Sequence, residues 1–204
     1  MKNTENKSRI YKSHQEEILV IARETLFKNE KPWHGLSTEN IQSTIDTISK
    51  HQEYKPRYLA ENDFSYKQII PYMVFTFDDK FFVMQRKSTA SEQRLANKLS
   101  IGIGGHMREE DISGKTIFDW AKREFEEEVS YSGNLTISTI GILNDDSNDV
   151  GKVHLGLVLL LKGDNDQISI KDEHKNGLMF SKKMCQEKIN HMESWSQLVL
   201  QSIL

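Results

Sequence analysis

The chain has 204 residues, 28% of them charged and 37% hydrophobic, with 27 Lys and Arg against 30 Asp and Glu and a formal net charge of −3. That length buries one substantial core and a small appendage, not two full domains. Without a basic tail or an Arg-rich block, the charge balance argues against a stable nucleic-acid complex.

The longest apolar run, Leu155 to Leu161, is too short to cross a bilayer, so no membrane association is expected. The first residues, MKNTENKSRIYKSHQEE, lack the apolar centre of a secretory signal. The only cysteine, Cys185, has no partner within the chain for a disulfide, which fits a reducing compartment. A cytoplasmic location is the expectation.

In chain order, residues 1 to about 16 read as a loose leader. Glu17 to Phe27 contains ILVIA, which suits a strand, although its charged flanks also suit a helix. Ile41, Ile45 and Ile48 recur at helical spacing behind Ser37 and Thr38, two candidate caps. A polar connector containing Pro56 then leads to Phe64. From Gln68 the pattern changes to strands: Gln68 to Phe77, a turn at Asp78-Asp79-Lys80, and Phe81 to Arg86. Lys87 to Asn97 reads as a surface loop. SIGIGGHM follows, then a helical segment from Thr116 to Val129, strands near Leu135 to Leu143 and Lys152 to Lys162, and a short one over Gln167 to Lys171. Glu193 to Leu204 reads as an amphipathic helix burying Trp195, Leu198, Val199 and Ile203. Strands and helices in this order predict a sheet covered by helices on both faces.

The chemistry concentrates in Gly104 to Ser130. Thr116 and Asp119 have the spacing of a capping box and set the start of the helix. At about 100° per residue, Glu124, Glu127 and Glu128 share an arc of about 100°, and Glu126 faces away. Ile117, Ala121, Phe125 and Val129 form the adjacent apolar stripe. Carboxylates crowded at the border of a buried face repel one another, and a hard divalent cation relieves this.

The segment Arg123-Glu124-Phe125-Glu126-Glu127-Glu128-Val129-Ser130-Tyr131 resembles the second half of the Nudix signature, G-x5-E-x7-R-E-U-x-E-E-x-G-U. Aromatic residues stand at both bulky positions, and Ser130 replaces the signature's glycine. Ala96 to Met107 resembles the strand and glycine turn that precede the family's helix. The resemblance covers roughly Tyr66 to Leu204 and leaves residues 1–65 as an N-terminal extension packed on a main domain over 66–204. Seventeen residues separate Gly105 from Arg123, four more than the signature's thirteen. The first glutamate of the signature therefore falls on Asp111 or on Lys115, depending on the direction of counting.

The resemblance implies an α/β/α sandwich with a mixed sheet, and a hydrolase that cleaves a pyrophosphate bond in a small-molecule diphosphate. It implies Mg²⁺ or Mn²⁺ held by Glu124, Glu127, Glu128 and the Gly104 carbonyl, with Arg123 orienting the glutamates. It also implies a further acid from a later loop: Glu173 is preferred, with Asp172 and Asp149 as rivals. Arg86 and His106 are candidate phosphate contacts. Asp145 and Asp146 read as turn residues, His154 as packed or hydrogen-bonded, and Trp33, Trp120 and Trp195 as core. A homodimer is a further expectation. The competing reading is a Nudix-like module that binds a phosphorylated ligand without turnover. Isomerisation of an isoprenoid diphosphate ranks below both, because it requires a cysteine in the pocket.

Overall fold

The ILVIA stretch is a strand. Ile18, Leu19, Val20 and Ile21 are each at most 2% exposed, so both faces of the segment are covered and no helical stripe is needed to bury it. The computed structural model describes residues 16–86, 98–112, 116–171 and 175–204. In chain order its first elements are β1 (Glu17–Ala22), α1 (Arg23–Leu26), β2 (Gly35–Ser37), α2 (Ile41–His51), β3 (Gln52–Pro56) and α3 (Arg57–Ala60). Then come β4 (Tyr66–Phe77), β5 (Lys80–Arg86), β6 (Leu99–Ser100), β7 (Gly102–Gly104), α4 (Glu109–Ile112) and α5 (Ile117–Glu128). The remainder is β8 (Val129–Tyr131), β9 (Leu135–Asn144), α6 (Asp149–Val153), β10 (His154–Gly163), β11 (Ile168–Ile170), β12 (Lys175–Ser181), α7 (Lys182–Lys188) and α8 (Ser194–Ile203).

The main sheet runs β12-β5-β4-β10-β9-β2. It is mixed: β10 lies parallel to β4 and antiparallel to β9. β4 changes partner along its length. It pairs with β1 as far as Gln68 and with β7 from Tyr72 onward. Pro71, which has no N–H to donate, stands at the changeover, where a ladder bond is not required.

Alternation along β4 and β10 divides the core. Ile69, Met73 and Phe75, with Leu157 and Leu159, face α2 and α5 and meet Ile48, Trp120, Ala121 and Phe125. Tyr72, Val74 and Val158 face the other way and meet Cys185, Val199 and Leu200 of α7 and α8. The sandwich is therefore the α/β/α arrangement with a mixed sheet that the sequence implied.

Several local expectations change. The connector around Pro56 is β3, antiparallel to β1, and its outer edge has no ladder to lose at Pro56. The cap of α2 is Asn40 in the left-handed region (φ 51°), with no side-chain bond to the helix N–H groups, in place of Ser37 or Thr38. Lys152 and Val153 are helical, because Asn148 caps α6 by accepting from the Gly151 N–H at 2.9 Å. Ser130 carries no strain. The helix leaves through Val129 at φ −130° directly into β8, so no left-handed residue is needed there. The leader up to residue 15, the 87–97 loop, Lys115, Asp172 and Glu173 lie outside the described residues.

Candidate active site

α5 starts where its capping box places it. The Thr116 hydroxyl accepts from the Asp119 N–H at 3.3 Å, and the Asp119 carboxylate accepts from the Thr116 N–H at 2.9 Å. Phe125 stacks on Phe75 with centroids 5.8 Å apart, which fixes the rotation of the helix. With Trp120, Ala121 and Phe125 turned inward, Glu124 and Glu128 reach the wall of a cavity of about 910 Å³. Glu126 faces solvent, 4.0 Å from Lys122.

The glycine turn forms the adjacent wall. Gly104 and Gly105 border the cavity, and a Cβ at Gly105 would stand 2.8 Å from Glu124 Oε1. A glycine there lets the carboxylate lie against the backbone. Burial, and then the charge of Glu127, raise the Glu124 carboxyl above its ordinary value.

Of the two candidates for the first signature acid, Asp111 is the one among the described residues, and it meets Arg123. It is buried, and its Oδ1 lies 2.7 Å from Arg123 Nη2, while its Oδ2 accepts from Arg108 Nε at 3.0 Å. Burial pushes its carboxyl upward, but the bonds from Arg108 and the charge of Arg123 outweigh that and hold it below the usual range. The other arm of Arg123 holds Glu127 Oε1 at 2.5 Å. Glu127 therefore stands beside Arg123 and is not part of the cavity lining. Among the described residues, no group of three or more His, Cys, Asp or Glu side chains is gathered as a metal site.

The remaining walls come from residues that the sequence analysis did not assign to the site. Arg57 enters from α3 and Glu61 from the residue that follows it, their side chains 2.9 Å apart. Tyr72 and Trp195 meet edge to face at 5.6 Å, and the Tyr72 hydroxyl donates to Glu193 at 2.6 Å. Trp195 thus borders the cavity in addition to packing. Asn148, Gly151 and His154 supply the opposite rim. That rim is fastened from below by Lys67, a fully buried ammonium bonded to Asp146 (2.8 Å) and to the Gly151 (2.8 Å) and His154 (3.1 Å) carbonyls. Arg23 also pairs with Asp146, so Asp146 does much more than form a turn. Desolvation acts to raise its carboxyl, yet the bonds from Arg23 and Lys67 hold it down at about 2. Only a Lys preceding a strand and an Asp preceding a turn mark this clamp in the sequence, and neither names the other.

His106 also borders the cavity, but its Nε2 is taken up by Gln68 Oε1 at 2.7 Å. Burial, then Arg57 and His154, lower its pKa to about 3. A neutral ring whose N–H is spent on a protein amide has no donor left for a phosphate oxygen. Asp149 points away: its side chain is 80% exposed and 2.9 Å from Lys152. Arg86 closes β5 opposite Lys175, and its side chain lies outside the described residues. Cys185 is buried in the second core, where desolvation raises its thiol to about 11. It does not line the cavity, so cysteine-based isomerisation finds no support.

No family model matches the sequence. Protein YmaB of Bacillus subtilis (strain 168) is 35% identical over 199 residues, 91% of this chain and 96% of the relative. The crystal structure of Tm1382, assigned to the Nudix hydrolases, superposes with a TM-score of 0.80 at 27% identity, covering 93% of this chain and 98% of that one. The chain belongs to the Nudix family. DR0079 from Deinococcus radiodurans, with a TM-score of 0.50 at 13% identity over 66% of this chain, shares the fold. The match to Tm1382 spans most of residues 1–65 as well as the Nudix core. Among the described residues no helix is long and apolar enough to cross a membrane.

Proposed function

We propose that this Nudix protein is a divalent-metal-dependent hydrolase of a phosphoanhydride bond in a small-molecule diphosphate. The observation that carries this reading is Glu124 and Glu128 on the cavity wall beside the Gly104-Gly105 turn, with Glu124 raised by burial and by Glu127. Burial and like charge disfavour the ionised Glu124 carboxyl, a bound cation relieves both, and hard oxygen donors suit Mg²⁺ or Mn²⁺. Glu124, Glu128 and the Gly104 carbonyl would hold the ion, with Glu127 joining them from its place on Arg123. When bound, the ion supplies charge neutralisation for the diphosphate oxygens and Lewis acidity at phosphorus.

The chain's own residues do the rest. Arg123, tied to Asp111, keeps the acidic face of α5 in register with the glycine turn. Arg57 and Arg108 bring positive charge to the cavity rim, where a phosphate oxygen finds a donor. Residues 1–65 form an extension to a domain over 66–204, and through Arg57 they contribute to the substrate wall.

Chelated protein is expected to release no phosphate or monophosphate from a panel of nucleotide-linked and simple diphosphates. Adding back Mg²⁺ or Mn²⁺ should restore turnover. Full turnover after exhaustive chelation rejects metal dependence. The engagement of Glu127 by Arg123 favours a second reading, a ligand-binding module without turnover. Saturable binding of a diphosphate with no product at any metal concentration selects that one.

A further inference from the structure

We propose that His106 and His154 form a pair of hydrogen-bond acceptors in the cavity that selects a ring carrying O–H or N–H donors on the non-phosphate part of the substrate. The proposal rests on the cavity being the substrate site, and its argument is one of hydrogen-bond direction.

The tautomers are fixed by partners that have no choice of role. His154 Nδ1 lies 2.7 Å from the Val150 carbonyl; a carbonyl only accepts, so Nδ1 carries the proton. The Gln68 amide is oriented in the same way. Its Nε2 donates to the Ala60 carbonyl at 3.1 Å, which leaves Oε1 to face His106. Oε1 only accepts, so His106 Nε2 carries its proton. An imidazole at neutral pH is mostly uncharged, since its ordinary pKa is about 6.5. Each ring therefore keeps one lone-pair nitrogen, Nδ1 on His106 and Nε2 on His154.

Neither of these nitrogens has a hydrogen-bond partner among the described residues. Neither is among the buried polar atoms left without one, which are Trp120 Nε1 and Asn144 Oδ1. Both rings border the cavity, with centroids 5.6 Å apart. Lone-pair nitrogens on two neighbouring rings repel phosphate oxygens and welcome donors. Trp195, at 6.4 Å from His154, adds an apolar surface beside them on which a ring can lie. A ribose hydroxyl and a base amine offer the same donor chemistry.

The test uses the whole protein and needs no turnover. Long-range ¹H–¹⁵N spectra of the imidazoles should show His106 protonated at Nε2 and His154 at Nδ1. Titration with adenosine should move the two lone-pair nitrogens. 2′-Deoxyadenosine, inosine and D-ribose then separate the sources: loss of the response with 2′-deoxyadenosine points to the hydroxyl, and loss with inosine to the amine. His154→Phe should weaken adenosine by about tenfold, the worth of one hydrogen bond, and leave the analogue lacking the donor unchanged. The opposite tautomer on either ring, equal responses to adenosine, 2′-deoxyadenosine and inosine, or no response to any of the four probes overturns the proposal. Because none of these probes contains a diphosphate, failure of the hydrolase reading leaves this result standing, and the reverse also holds.

Discussion

Arg123 bridges two acids from different elements, holding Asp111 at 2.7 Å with one arm and Glu127 at 2.5 Å with the other. Asp111 belongs to the turn of α4, which follows the glycine strand, and Glu127 belongs to α5. The signature arginine thereby ties the loop of extra residues back to the acidic helix.

Asp111→Asn should lower stability by about 1–3 kcal/mol, since it removes a buried acceptor from two guanidinium groups. The sign with pH follows from a folded-state pKa held below the ordinary one. The contribution is complete above the unfolded value of about 4 and is lost as pH falls through the lowered folded value. Urea midpoints of wild type and variant should differ at pH 7 and converge on acidification.

Glu124 behaves in the opposite sense. Its folded pKa is raised, so its ionisation costs stability above that value and costs nothing below the unfolded one. In chelated protein at pH 8, Glu124→Gln should raise the melting midpoint, since it removes a charge that the folded state disfavours. The same variant should lose divalent-ion binding measured by calorimetry. A lower midpoint together with intact ion binding contradicts the assignment.

Glu128→Gln should reduce kcat on any substrate found in the panel by at least about a hundredfold, the scale of losing electrostatic stabilisation of a transition state. Glu126→Gln should leave kcat within about twofold, because its side chain lies on the solvent side beside Lys122. Equal losses at both positions would indicate a general charge effect of the helix.

Lys67→Met should destabilise by about 3–5 kcal/mol, since it leaves two carbonyls unsatisfied and removes one of the two cations that hold Asp146. Lys67→Met combined with Asp146→Leu should lose less than the two single losses added together, because either change alone already breaks the bond they share. Chemical denaturation of the wild type, the two single variants and the double variant measures this, and additive losses contradict a direct pairing.

Deleting residues 1–63 should leave a protein that aggregates. Ile18 to Ile21 together stabilise by roughly 6–12 kcal/mol before chain entropy is subtracted, and their removal uncovers the β4 edge that β1 pairs with. A truncated protein that stays monomeric and melts with the wild type would show that the extension is an appendage.

The sequence alone determined the features whose physics is local. The period of α5, its capping box, the inward stripe through Ala121 and Phe125, and the outward Glu126 all follow from spacing along a helix. So do the runs that became β4, β5, β9 and β10. ILVIA was ambiguous because a stretch buried on both faces carries no periodicity. Only the tertiary structure decided which acid meets Arg123, since four extra residues make counting along the chain ambiguous while the 2.7 Å contact with Asp111 does not. It alone brought Lys67 to Asp146, 79 positions away, and His106 to Gln68, 38 positions away. Those pairings depend on the register of β4 against β10 and β7, and register is a property of strands packed together, which no single stretch of residues encodes.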